Sequence, residues 1–165
     1  MEEKIFIGVS RVRQAVETFE KGFNCAQSVF STYSDVFGID RETALRMASS
    51  MGAGIGRMRE VCGPISAMAL LAGLKEGNSD PEDEEAKAHI YRRVRDMADS
   101  FRKEKGSIIC RELLGMEGPE ENPAPSARTP EYYASRPCSG LVECAARILE
   151  ETLFAVDVGE SKVRI

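Results

Sequence analysis

Five cysteines are the residues of this sequence best suited to chemistry: Cys25, Cys62, Cys110, Cys138 and Cys144. No two of them form a C-x-x-C pair, so their spacing matches neither zinc fingers nor thioredoxin-like motifs. The thiolate is the form of cysteine that attacks disulfides and binds soft metals. The residue types therefore indicate thiol–disulfide chemistry or a cysteine-ligated metal, and spacing alone does not choose between them.

Four of the five cysteines lie where the sequence predicts that helices begin. The unpaired N–H groups and the positive dipole end of a helix N-terminus favour thiolate, so we expect reactive thiols there. Cys144 differs, because it lies at the edge of the apolar face of the last predicted helix. The four, each with the residue that marks its helix start, are Cys25 after Asn24, Cys62 before Pro64, Cys110 after Ser107 and Cys138 after Pro137.

Apolar residues recur at helical spacing along most of the chain, and no segment shows the alternation of a strand. Helices are predicted over about 9–21, 25–37, 41–48, 65–75, 80–105, 108–114 and 137–154, the fifth from a capping box at Ser79–Glu82. The predicted fold is all-α, a compact bundle of six to seven helices. Residues 1–165 are expected to form a single helical domain, with a long Pro-rich loop over 116–136 before the last helix and a tail over 156–165.

A glycine-rich segment precedes the second cysteine. Gly52, Gly54 and Gly56 do not form a dinucleotide fingerprint, because Arg57 stands where the third glycine would be needed and no strand precedes them. They are better explained by close passage of the backbone beside Cys62. Together with Gly63, they are candidate cofactor-binding backbone of a pocket. Arg57 and Arg59 either lower the pKa of Cys62 or are solvated charges.

Composition excludes several partners. The net charge of −5, from 22 basic and 27 acidic residues, gives no attraction to nucleic acid. No apolar run approaches the length of a membrane span, so membrane insertion is not expected. The first residues do not resemble a signal peptide, which predicts a cytoplasmic protein with reduced thiols. The single histidine, His89, lies on the polar side of its predicted helix, which disfavours a Cys–His catalytic pair.

The sequence resembles the C_GCAxxG_C_C family, which is named for its cysteine pattern and described as redox-active. The resemblance covers about residues 11–152 and is carried by Phe23–Val29, Met51–Gly56, Val61–Ala67, Leu71–Leu74, Cys110–Gly115, Cys138–Val142 and Ala145–Glu151. The family's four recurring cysteines map onto Cys25, Cys62, Cys110 and Cys138, and Cys144 falls outside the pattern. Pro64 and Ala67 depart from the usual alanine and glycine of the C-G-A-x-x-G box, and both keep a small, tight helix start.

The resemblance implies a redox role without choosing its chemistry, because related domains accompany cytochrome modules in which the four cysteines look like iron–sulfur ligands. The leading hypothesis is an all-α redox protein whose four cysteines gather near one pocket, roofed by the glycine loop and the loop 116–136. They would serve thiol–disulfide exchange or electron transfer with an unidentified donor or acceptor. Whether the chain is itself an oxidoreductase stays open.

Two alternatives remain beside this hypothesis. In the first, the same four cysteines make a non-enzymatic metal-binding module that holds an iron–sulfur cluster or zinc. In the second, the chain is a helical interaction protein with inert buried cysteines, since cysteine is among the most buried residue types. The cofactor is accordingly an iron–sulfur cluster, zinc or none. A homodimer is also an expectation, because surfaces such as that of the first helix could be left apolar.

Overall fold

The computed structural model describes residues 4–157, which form eight α-helices and one short pair of antiparallel strands. The all-α prediction is confirmed. One more helix is present than predicted, because a short one lies inside the segment expected to be a loop. The elements are β1 Lys4–Ile5, α1 Val12–Glu20, α2 Cys25–Tyr33, α3 Arg41–Ala48, α4 Gly63–Glu76, α5 Glu84–Lys105, α6 Cys110–Leu113, α7 Pro130–Ser135, α8 Cys138–Ile148 and β2 Val156–Asp157.

Side-chain caps set several helix starts. The Asn24 side chain accepts a hydrogen bond from the Gln27 N–H at 2.9 Å, and the Gln27 side chain accepts from the Asn24 N–H at 3.0 Å. This reciprocal capping box fixes the start of α2 at Cys25. Asp40 caps α3 by accepting from the Thr43 N–H at 2.9 Å. Gly106 ends α5 in the left-handed conformation, as its position after the helix predicts.

Two predicted helix starts were wrong. The Ser79–Glu82 motif does not cap α5; Asp83 does, by accepting from the Ala86 N–H at 2.9 Å. The Asp80 side chain instead accepts from the Glu82 N–H at 2.9 Å, which holds this segment in a local turn. Val9 does not belong to the first helix, which begins at Val12, and Val9 is 90% exposed.

The segment after α6 is more ordered than a single loop. Thr129 caps α7 by accepting from the Tyr132 N–H at 3.2 Å, and Pro130 occupies the first helical turn, where its missing N–H is not needed. The predicted tail also begins differently, since β2 pairs with β1. The rest of the predicted tail, 158–165, lies outside the described residues, and the single-domain assignment stays a prediction.

The core is built around α4, as its apolar sequence predicts, together with α2. Of the nine residues of α2 only Gln27 is not buried, and α4 contributes a buried run from Gly63 to Ile65 and then Ala67, Met68, Leu71 and Ala72. Helices α1 and α8 pack against α2, and α5 covers α4. Among residues 4–157 no helix combines the length and apolarity needed to cross a membrane.

Candidate functional site

The structure brings four of the cysteines together at helix N-termini. Cys25, Cys110 and Cys138 are the first residues of α2, α6 and α8, and Cys62 is the N-cap of α4. All four line one cavity of about 50 Å³. All five cysteines of the chain are free thiols. Four helix starts therefore converge on a small space with thiols on its wall.

A short backbone bridge holds two of these helix starts side by side. The Cys62 N–H donates to the Ile108 carbonyl at 2.8 Å, and the Cys110 N–H donates to the Glu60 carbonyl at 2.6 Å. These bonds form an isolated antiparallel β-bridge between the segments that precede α4 and α6. The positions of Cys62 and Cys110 are thus fixed by main-chain hydrogen bonds.

Gly63 allows the starts of α2 and α4 to touch. A Cβ atom at this position would lie 2.5 Å from the Cys25 Sγ and 2.9 Å from the Ala26 nitrogen. Any side chain here would push the Cys25 thiol away from α4. The role of Gly63 shown by the structure is therefore this close approach, and a role in binding a cofactor stays a prediction.

The glycine loop adopts a rare conformation. Five consecutive residues, 53–57, have positive φ, and Arg59 follows with φ 63°. Backbone hydrogen bonds between residues six positions apart close the loop: the Gly56 N–H donates to the Ser50 carbonyl at 2.7 Å, and the Glu60 N–H donates to the Gly54 carbonyl at 3.0 Å. Non-glycine residues in this region cost on the order of 1–3 kcal/mol each. The packing that holds the loop must offset this strain.

The candidate glycines of this loop have different roles. Gly54 needs to be glycine, because a Cβ atom would lie 2.5 Å from the Glu60 nitrogen and its φ is +74°. Gly52 has an ordinary φ, but a Cβ atom at this position would lie 2.3 Å from the Asn24 side chain. Gly56 is free of such contacts. Gly52 and Gly56 line a second cleft beside the thiol cavity, and their assignment as cofactor-binding backbone stays a prediction.

The two arginines of the loop point to different places. Arg59 is 4% exposed, and its Nη1 lies 3.9 Å from the Cys110 Sγ. Arg57 instead donates to the Ser126 Oγ at 3.1 Å and pairs with Glu120 at 3.7 Å. The interpretation in which both arginines lower the pKa of Cys62 was therefore wrong, and so was the alternative of a solvated charge for the buried Arg59. Arg59 contacts a different cysteine, and Arg57 anchors the loop 116–129.

Burial determines the protonation of the thiols. It raises the pKa of Cys25, raises that of Cys62 well above its usual value, and raises that of Cys138 to about 12. Repulsion from the neighbouring thiolates adds to each shift. Backbone hydrogen bonds favour the Cys25 thiolate, and Arg136 and Arg128 favour that of Cys138, without reversing the direction. The expectation of low-pKa thiolates was wrong, because the helix N-termini do not offset desolvation.

The cysteines also differ in access. Cys138 is partly exposed, whereas Cys25, Cys62 and Cys110 are buried. Cys144 is 2% exposed and does not line the cavity. Its separation from the other four agrees with its position on α8, although it is more deeply buried than the edge of an apolar face suggests.

Three site residues were missed at the level of sequence: Arg128, Tyr132 and Arg136, which line the thiol cavity beside Cys138. The Arg128 guanidinium lies 4.7 Å from the centre of the Tyr132 ring, and that of Arg136 lies 5.1 Å from it. The available signal was a pair of arginines flanking two tyrosines in a long segment of otherwise loop-like composition, since such segments are often functional.

The metal-binding alternative finds no geometric support. Among the residues that the structure describes, no three Cys, His, Asp or Glu side chains converge as ligands of one ion would. Structural zinc and iron–sulfur sites need three or four such ligands around a common point. The described residues give the four cysteines no shared ligand arrangement, so we derive no chemical step through a metal, and the metal-binding alternative stays a prediction.

Comparison with known proteins agrees with the cysteine pattern. Residues 23–152 match the model of the family described as "Putative redox-active protein (C_GCAxxG_C_C)". Searches of curated proteins and of solved structures gave no significant match. The matched segment includes all four helix starts of the cavity and most of the chain. The chain therefore belongs to the C_GCAxxG_C_C family.

Proposed function

We propose that this protein is a thiol–disulfide redox protein in which two cavity cysteines exchange two electrons with a disulfide substrate. The observation that carries the proposal is the convergence of four free thiols, each at a helix start, on one cavity. Cys138 is the attacking thiol, because it is the only one of the four that is partly exposed and because Arg136 and Arg128, which line the same cavity, favour its thiolate. The other three are buried.

We assign Cys25 as the partner of Cys138. After burial, Cys25 is the largest influence on the pKa of Cys138, although the thiol that raises the pKa of Cys25 itself is Cys110. Burial raises the pKa of Tyr132, and both Cys138 and Cys25 add to that shift. Cys62 and Cys110 are less suited to pair with each other, since they are diagonal neighbours across their backbone bridge. Such neighbours lie roughly 7–8 Å apart, and disulfides rarely span more than about 7 Å between Cα atoms.

The exchange proceeds in two displacements. Cys138 loses its proton to solvent, and its thiolate attacks one sulfur of the substrate disulfide, forming a mixed disulfide and releasing the other sulfur as a thiolate. Cys25 then loses its proton and attacks the Cys138 Sγ, which forms the Cys25–Cys138 disulfide and releases the second substrate thiolate. Both released thiolates take up a proton. Two protein thiols are oxidised, and one substrate disulfide is reduced to two thiols.

The electrostatics of the cavity make the reduced state a neutral dithiol at pH 7. Since the pKa of Cys138 is about 12, only a small fraction of the thiol is ionised, and the reaction speeds up as the pH rises. Oxidation removes two ionisable sulfurs from a buried space. Because the protein dithiol ionises only at high pH, the released substrate thiols ionise first as the pH rises, which favours the oxidised protein at alkaline pH.

A stoichiometric reaction tests the proposal. Fully reduced protein, kept anaerobic, is mixed with one equivalent of neutral 4,4′-dithiodipyridine. We expect two equivalents of thiopyridone to be released and the protein to lose the mass of two hydrogen atoms. Cys144→Ser should behave like the wild type, whereas Cys138→Ser should not release both equivalents. Release of one equivalent with a lasting mixed disulfide on wild-type protein would contradict the paired mechanism.

A further inference from the structure

We propose that the cleft beside the thiol cavity binds the acidic groups of a small disulfide, so that the substrate of this protein is a low-molecular-weight disulfide carrying carboxylates. This inference rests on the proposed function and names its substrate class. It is carried by a set of arginines without carboxylate partners around the entrance to the thiols.

The cleft has a volume of about 280 Å³ and adjoins the thiol cavity. The two spaces share six lining residues: Asn24, Ala53, Arg59, Arg128, Tyr132 and Arg136. Arg57 also lines the cleft, and none of the described residues on its wall is acidic. In a protein with net charge −5, a concave surface with four arginines and no lining carboxylate is a local site of positive potential.

Three of these arginines form no ion pair with a carboxylate of the described residues. Arg57 is neutralised by Glu120 at 3.7 Å, but Arg59, Arg128 and Arg136 form no ion pair with any carboxylate within residues 4–157. Aromatic rings and a backbone carbonyl hold Arg128 in place: Tyr132 at 4.7 Å and the Phe23 carbonyl at 3.3 Å. The guanidinium groups are thus positioned without being neutralised.

Two buried nitrogen atoms among them lack acceptors. The Arg59 Nε and the Arg128 Nη1 are buried and have no hydrogen-bond partner, and Arg59 as a whole is 4% exposed. A buried donor on a charged group is costly to leave unsatisfied. Both atoms are closed off from solvent, so a carboxylate in the cleft would contact the other N–H groups of these guanidiniums, whose planar fork it matches, and would reach the two buried atoms only after a side-chain shift.

The sizes of the two spaces indicate how such a substrate would bind. The thiol cavity, at about 50 Å³, has room for a few water molecules and cannot enclose a substrate. The cleft is close to the lower end of the range for small-molecule sites. The substrate would therefore place its charged groups against the arginines of the cleft and direct only its sulfur atoms toward Cys138.

The competing explanation is that the arginines only stabilise the thiolates. Reaction rates with three disulfides of different charge separate the two ideas: dianionic 5,5′-dithiobis(2-nitrobenzoate), neutral 4,4′-dithiodipyridine and dicationic cystamine. Rates are measured on wild-type protein and on Arg128→Gln and Arg136→Gln, with Arg46→Gln as the matched control. Arg46 is exposed on α3 and does not line the cleft.

We expect the wild type to react with the anionic reagent at least about tenfold faster, relative to the neutral one, than do the two cleft variants, in line with electrostatic steering. Cystamine should be disfavoured, and Arg46→Gln should match the wild type. Salt should slow the anionic reagent alone. Equal loss of rate toward all three reagents in the cleft variants, or no charge preference in the wild type, would overturn the proposal.

A binding measurement keeps this test separate from the proposed chemistry. The Cys138→Ser variant is titrated calorimetrically with a dicarboxylate thioether, which has the shape of the substrate but no disulfide. Saturable binding that is lost in Cys138→Ser/Arg128→Gln is expected, even if the wild type were found not to reduce disulfides. Absence of binding in Cys138→Ser would overturn the anion site while leaving the neutral disulfide reaction intact.

Discussion

Helix α8 carries two cysteines in opposite situations. Cys138 is its first residue and lines the cavity with three other thiols, beside Arg128 and Arg136. Cys144 lies less than two turns further along and is 2% exposed, with its Sγ 3.6 Å from the Glu104 carboxylate and 3.9 Å from the Arg147 guanidinium. Cys138 has thiol neighbours and is accessible from solvent, whereas Cys144 has neither thiol neighbours nor access.

The comparison shows that a thiol's pKa does not identify a redox site in this protein. Burial and the nearby Glu104 raise the pKa of Cys144 to about 11, whereas that of Cys138 rises to about 12. Ranked by pKa alone, Cys144 would be the better nucleophile. A redox cysteine also needs a second thiol for the resolving step and a path for the substrate, and those requirements select Cys138.

The largest expected effect comes from replacing the two cysteines of α8 one at a time. Cys138→Ser should lower single-turnover reduction of 4,4′-dithiodipyridine to the background rate, because the accessible nucleophile is gone. Cys144→Ser is the matched control on the same helix and should keep the wild-type rate. Stopped-flow absorbance measures both. Loss of activity in Cys144→Ser alone would show that Cys144, and not Cys138, is the redox cysteine.

A change of stability follows from the close approach at the start of α4. Gly63→Ala should destabilise the protein by about 1–3 kcal/mol, because the added Cβ would collide with the Cys25 thiol. Gly73→Ala, on the same helix, meets no atom within 4 Å and should stabilise by up to about 1 kcal/mol. Urea unfolding measures both values.

The same pair of variants sharpens the contrast between the cysteines. Gly63→Ala should also change the alkylation rate of Cys25 and Cys138, and leave that of Cys144 unaltered. Peptide mapping after brief alkylation reports each rate. Equal stability of Gly63→Ala and Gly73→Ala would contradict the packing described at the cavity.

Reactivity should depend steeply on pH. Below its pKa of about 12, the thiolate fraction of Cys138 rises about tenfold per pH unit, so alkylation by iodoacetamide should accelerate at nearly that slope from pH 7 to 10. Cys144 should alkylate more slowly than Cys138 despite its lower pKa, because it is buried. A plateau of the Cys138 rate below pH 9 would show that its thiolate is not disfavoured.

Stability should fall at alkaline pH for the same reason. The folded protein binds the Cys138 proton more tightly than the unfolded chain, so this contribution is fully present below pH 9 and is lost as the pH rises toward 12. Each such thiol contributes a slope of at most about 1.4 kcal/mol per pH unit. Urea unfolding of the reduced protein at several pH values measures it. Unchanged stability between pH 8 and 10.5 would contradict the buried neutral thiols.

The smallest expected effect concerns the environment of Cys144. Glu104→Gln removes a carboxylate that raises the pKa of this thiol, so that pKa should fall while reduction of disulfides is unaffected. Alkylation of Cys144 as a function of pH, measured by mass spectrometry, reports the change. A parallel change at Cys138 would show that the two sites are coupled.

The sequence was most informative where the local chemistry is short-ranged. Asn24 as an N-cap and the proline after Gly63 placed Cys25 and Cys62 at helix starts, and Pro137 did the same for Cys138. The separate position of Cys144 followed from helical periodicity. These signals depend on only a few neighbouring residues, which is why they could be predicted.

What the sequence did not reveal depends on contacts between distant segments. The raised pKa values result from burial by other helices, so helix position alone gave the wrong direction. The approach of Arg59 to Cys110 requires both the left-handed loop and the bridge to the segment before α6. The arginine cleft brings together residues about 70 positions apart, such as Arg59 and Arg128, and no local sequence pattern predicts that they lie close in space.

The most direct test of the central claim is a disulfide map of the oxidised protein. Reduced protein is treated with one equivalent of 4,4′-dithiodipyridine and then unfolded in acidic urea. The remaining thiols are blocked with N-ethylmaleimide, and peptides are identified by mass spectrometry. We predict one intramolecular bridge between Cys138 and Cys25, with Cys144 recovered as an alkylated thiol. A bridge that includes Cys144, or recovery of all five cysteines as alkylated thiols, would contradict a redox site at the four helix starts.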